Sequence, residues 1–128
     1  MSEPPRNLQF FAISEGSVAD LRDCLSYAGI SLRVLTRIEA VTELPASADA
    51  VVLYADAFSE AAVETALRVL GSACPEAQLV LATSRPRRYR DETRALVVAR
   101  RFHCGTILEA IRVRRESHAR DASRDVAE

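Results

Sequence analysis

Five short apolar runs limit what this chain can become. They are LQFFAI (residues 8–13), SLRVLT (31–36), VVLY (51–54), QLVLATS (78–84) and ALVVA (95–99). VVLY, short and bounded by Asp49 and Asp56, reads as a strand buried on both faces of a sheet; SLRVLT alternates as a strand does, and the other three are compact apolar runs of strand length. The stretches between them have a different period. Val18, Leu21, Leu25 and Ala28 fall three or four residues apart and give one apolar stripe on a helix, as do Val63, Ala66, Leu67 and Leu70. Ile107, Leu108 and Ile111 mark a last helix over 106–114. Ile38, Val41 and Leu44 mark a short one that ends at Pro45.

The punctuation agrees with the periods. Ser17 and Ser59 stand where a side-chain oxygen would cap the first turn of a helix. Gly29 stands where a helix stops with a left-handed residue, and Gly71 with Pro75 predicts the end of the helix that starts after Ser59. Strand and helix therefore alternate, except between the fourth and fifth strands. Alternation of this kind calls for a parallel sheet covered on both faces, and right-handed crossovers make a three-layer α/β sandwich the natural solution. One domain over residues 7–115 follows, with polar and flexible termini at 1–6 and 116–128.

Several function classes drop out. No apolar run approaches the roughly 20 residues that span a bilayer, and the start, MSEPPRN, has no export signal, so a cytoplasmic protein is expected. Cys24, Cys74 and Cys104 are far apart and odd in number, which fits thiols in a reducing compartment better than a disulfide framework. They form no ligand pattern with His103 or His118, so no metal is expected. There is no GxGxxG or Walker sequence, and SEGS after the first strand is too generic to cradle a flavin phosphate, so no cofactor is expected. Neither histidine belongs to a Ser-His-acid set, and no enzyme activity is expected.

The order of elements resembles the receiver domain of two-component response regulators over most of residues 7–115. RRFHCGTILEAIR (100–112) lies without gaps on the receiver pattern of Lys-Pro-Phe, a short linker and Leu-x-x-Ala-Ile-Arg. DAVVLY (49–54) is similar to the family's third strand, and AISEG to the acidic turn after strand one. The resemblance implies a five-stranded parallel sheet of order 2-1-3-4-5, with the fourth helix shortened or missing. It also implies where phosphotransfer residues would stand, and this chain departs from the pattern there. The phosphoacceptor aspartate falls on Tyr54, whose phenol titrates near pH 10 and is a poor nucleophile and magnesium ligand. The acidic pair falls on Ser14 and Glu15. The Thr/Ser position falls on Thr83, or Ala82 in a register shifted by one. The lysine falls on Arg100, a planar fork rather than a point charge, and the next position on Arg101. The set Ser14, Glu15, Tyr54, Thr83 and Arg100 thus reads as a degenerate pocket, closed by contacts of Arg100 with Glu15 or the Tyr54 ring. Asp56 is the alternative acceptor, although by then the chain should be leaving the sheet.

Charge is unevenly distributed. Residues 1–84 hold five Arg and eleven acids, whereas 85–128 hold twelve Arg and seven acids, and there is no lysine. Between Ser84 and Ala95 lies RPRRYRDETR, where the resemblance implies a helix of about three turns; ten residues hold at most a short one, which should uncover the flank of strand four or five unless Tyr89 or another molecule covers it. Arg85, Arg87, Arg88, Tyr89, Arg90, Arg94 and Arg101 are the expected partner-binding residues. The sequence therefore points to a phosphorylation-independent receiver-like module that binds a protein partner or itself. The rival readings are a receiver still switched at Asp56 or Glu15, and an arginine-mediated nucleic-acid binder. A pI near 6.1 disfavours the last.

Overall fold

The computed structural model describes residues 8–99, 102, 105–114 and 116. Five parallel strands make one sheet in the order β2-β1-β3-β4-β5, with β1 Gln9–Ile13, β2 Ser31–Leu35, β3 Ala50–Tyr54, β4 Gln78–Thr83 and β5 Leu96–Ala99. Helix α1 is Ala19–Tyr27 and α2 is Glu60–Ala73. Residues 105–114 form helix α3. Short 3-10 helices fill Ile38–Glu43, Ala55–Ala57 and Pro86–Tyr89. The expected sandwich and strand order are present.

The period of two along the strands sorts the core into two halves. Phe11, Ile13, Val51, Leu53, Leu79 and Leu81 face α2 and the first 3-10 helix. Phe10, Ala12, Ala50, Val52, Val80 and Val98 face α1 and α3, where Leu21, Leu25, Ile107 and Ile111 meet them. β1, β3 and β4 are almost wholly buried, as strands between two helical layers must be.

Helix ends agree with the sequence in part. Ser59 caps α2, its Oγ accepting from the Ala62 amide at 3.1 Å. Gly29 has φ +75°, a left-handed conformation that a side chain would strain. Ser17 does not cap α1 as expected: the helix starts one residue later, after Val18, and Ser17 Oγ accepts only the Ala19 amide at 3.3 Å. Gly71 does not end α2 either. The helix runs on to Ala73, because the apolar stripe holds the last turn through Leu70 and Cys74, both buried against the sheet. Glu116, assigned to a flexible terminus, is helical and accepts from Arg112 at 2.6 Å.

Cys24 departs from expectation more sharply. It is disulfide-bonded, whereas Cys74 is a free, buried thiol. Cys104 lies outside the described residues.

Candidate functional site

In an open parallel sheet the loops that follow the strands gather at one edge. Here that edge holds the ends of β1, β3 and β4, and two clefts open on it, one on each face of the sheet.

Tyr54 is the last residue of β3 and belongs, with Ala50 and Val52, to the face turned toward α1. It is half-buried, and its ring meets that of Phe102 with centroids 6.4 Å apart at 42°. Together with Ser17, Asp20 and the start of α1 they line a cleft of about 400 Å³. The signal for this pairing was Phe102 itself, three residues past the β5 run. Ser14 is buried, and its Oγ is occupied within the turn, accepting from the Gly16 amide at 3.1 Å. Glu15 is exposed.

Asp56 opens on the opposite face. The chain leaves the sheet after Tyr54 and winds into the 3-10 helix Ala55–Ala57, which swings the carboxylate toward the end of β4. Thr83, only 1% exposed, donates its hydroxyl to Asp56 Oδ1 at 2.7 Å, and the Ser84 amide donates to Oδ2 at 3.0 Å. The Arg85 amide in turn donates to Thr83 Oγ1 at 3.0 Å. The β3–α2 and β4–β5 connections are thereby tied together through one carboxylate.

Two of the residues assigned to one degenerate pocket, Tyr54 and Thr83, therefore line different clefts. Tyr54 and Thr83 are separated by the sheet, since positions 50, 52 and 54 face α1 while 79 and 81 face α2. Thr83 is joined instead to Asp56. Arg100 and Arg101 lie outside the described residues, so the expected contacts of Arg100 do too. Among the described residues no three His, Cys, Asp or Glu side chains gather where a metal ion could be held.

The second cleft, about 530 Å³, is lined by Asp56, Phe58, Ser59, Thr83, Arg88 and Tyr89, among others. The 3-10 helix Pro86–Tyr89 forms one wall and the start of α2 the other. Tyr89 packs with Val97 and Ala95 on the core half that serves α2, so it covers the flank that the shortened connection would have left bare. Burial and the nearby Glu60 carboxylate push its phenol above the usual tyrosine range, which keeps it protonated.

The arginines divide into two sets. Arg94 is bound on both sides: its Nη2 lies 2.6 Å from Glu64 Oε2 and 2.7 Å from Glu92 Oε1, and its Nη1 donates to Glu64 Oε1 at 3.0 Å. Both carboxyls are held below the ordinary glutamate range, chiefly by the hydrogen bonds from Arg94. Arg88 reaches Glu60 at 3.3 Å. These contacts fasten the short connection to α2 and are internal, which removes Arg94 from a purely outward role. Arg85, Arg87 and Arg90 are exposed and make no ion pair among the described residues. The sequence shows the arginine count but not this division, because the partners sit on α2, some thirty residues away.

No protein-family model and no curated protein matches the chain. Among solved structures it is similar to the signal receiver domain of an HD domain-containing protein from Pseudomonas fluorescens Pf-5, at 18% identity and a TM-score of 0.69. The match covers 97% of this chain and 98% of that one. The chain has the fold of a receiver domain.

Proposed function

We propose that this protein is a receiver-fold module of signal transduction that works by binding a protein partner and does not depend on phosphorylation. The observation that carries the reading is Tyr54 at the end of β3, packed on Phe102, where transfer chemistry of the receiver kind needs an exposed carboxylate. A phenol there is neither a ready acceptor from a phosphohistidine nor an anionic ligand for Mg²⁺. Ser14 adds support, being buried and engaged inside its own turn where a second acid would stand.

The arginine-bearing β4–β5 connection supplies the binding surface in this reading. Arginine is favoured at protein interfaces, and charge complementarity gives partner choice. The proposed compartment is the cytoplasm; no helix among the described residues is long and apolar enough to cross a membrane. The disulfide at Cys24 is uncommon for that compartment.

A second reading has one observation in its favour. Thr83 lies 2.7 Å from Asp56, so an Asp and a hydroxyl do meet at this edge, in a different place from that implied by the resemblance. Under it Asp56 would accept the phosphoryl group. One experiment separates the two: incubation with Mg²⁺ and acetyl phosphate, followed by intact mass and peptide mapping. The interaction reading expects no phosphoryl adduct and the same partner recovered by cross-linking in native extract with or without phosphodonor. An adduct on Asp56 that changes partner recovery transfers the case to the second reading.

A further inference from the structure

The cleft between the start of α2 and the 3-10 helix Pro86–Tyr89 has a charge pattern that narrows the interaction reading to one kind of partner. Asp56 is tied down by the Thr83 hydroxyl and the Ser84 amide, and Glu60 is paired with Arg88. The two acids on the inner side are thus already answered by donors of this chain. What faces outward is Arg85 at the cleft, with Arg87 and Arg90 on the adjoining turn, all exposed and without an ion pair among the described residues. The walls are less polar: Phe58 and Tyr89 are half-buried and line the same cleft.

We infer that this cleft and turn form a docking groove for an extended acidic peptide segment of a partner protein, anchored by one apolar side chain against Phe58 and Tyr89. The inference rests on the interaction reading above and places the contact at the α2 side of the β4–β5 connection. Spacing favours a peptide over a single anion. Arg85 and Arg90 are five positions apart, about 10 Å along a turn rising about 2 Å per residue. Acids at alternate positions of an extended chain recur about every 7 Å and match arginines spread along such a turn. The cleft, about 530 Å³, has room for a side chain.

The test uses the full chain and fluorescein-labelled ten-residue peptides rich in Asp and Glu with one central leucine. Fluorescence anisotropy should show saturable binding that weakens at least about tenfold in the Arg85→Glu, Arg87→Glu, Arg90→Glu variant, and that falls with salt as screening shortens the reach of the charges. Replacing the leucine by serine should weaken it further, whereas Arg33→Glu on β2 should not change it. Equal binding of a lysine-rich peptide or of poly-dT overturns the proposal, as does an affinity within about twofold of the parent in the triple variant while circular dichroism shows it folded. Hydrogen exchange with the cross-linked partner keeps the two readings apart. Protection at Pro86–Arg90 and the first turn of α2 supports this groove. Protection confined to another face overturns the groove and leaves the interaction reading standing; the absence of any partner sinks that reading itself.

Discussion

Thr83 gives its hydroxyl proton to Asp56 at 2.7 Å, across the gap between the ends of β4 and β3. The hydroxyl is buried, and its oxygen also accepts the Arg85 amide, so it sits in the middle of a three-member chain. Thr83→Val keeps the shape and removes both functions. The Arg85 amide then loses this acceptor and Asp56 Oδ1 its short hydroxyl donor, while the Ser84 amide stays 3.2 Å from that oxygen, and the exchange should cost about 1–2 kcal/mol in urea unfolding. Thr83→Ser should recover most of that loss. If the valine variant unfolds at the parental urea concentration, this chain of bonds contributes nothing to the fold.

This bond shows where sequence reading stops. The strands, the burial of β3 and the cap at Ser59 were legible because they depend on period and near neighbours. Asp56 was legible as a residue leaving the sheet, but its partner was not, since Thr83 is 27 positions away and reached only once the sheet is assembled. The grouping of Tyr54 with Thr83 failed for a related reason. Parity of position along a strand decides which face a side chain takes, and a pattern match at strand ends does not register that parity. The extra two residues at the end of α2 came from burial of Leu70 and Cys74, which outweighs the local preference of Gly71.

Arg94 replaces part of the work of a missing helix, and its two ion pairs should be visible in acid. Glu64 and Glu92 have pKa values depressed in the folded state, so their contribution to stability is present above the unfolded value of about 4.5 and fades as pH falls through the folded values. The window is therefore the acid side of pH 5, not neutrality. Arg94→Met should lower the melting temperature at pH 7 by a few degrees, and the difference from the parent should shrink toward pH 3. A difference that stays constant over that range would mean that the packing of the arginine stem, not its charge, is what matters.

A carboxylate placed at the end of β3 should not by itself confer phosphotransfer. In Tyr54→Asp the new group would stand beside Phe102, with the buried Ser14 side chain still engaged in its own turn. A lone carboxylate with no second acid at the Ser14 position is a weak magnesium site. The variant should therefore remain free of acyl phosphate after incubation with Mg²⁺ and acetyl phosphate. It should also lose about 1–3 kcal/mol, because a half-buried ring contact is exchanged for a charge. An adduct mapped to position 54 would show that a single substitution is enough to confer transfer.

The two described cysteines should separate cleanly by chemistry. Cys74 is buried, its thiol pKa is raised by desolvation, and its Sγ donates to the Pro45 carbonyl at 3.3 Å. Since the thiolate is the reactive form, iodoacetamide should label it slowly in the folded protein and rapidly once the chain is unfolded. Cys24, half-buried on α1 among the residues that face β1 and β3, is in a disulfide and has no thiol to offer. In denaturant without reductant, peptide mapping should find Cys74 alkylated and Cys24 untouched, and prior reduction should make both reactive. Reduction should also lower the melting temperature, because a cross-link removed from the folded chain frees the unfolded one. Alkylation of Cys24 in denaturant before any reductant is added would establish it as a free thiol and remove the objection to a reducing compartment.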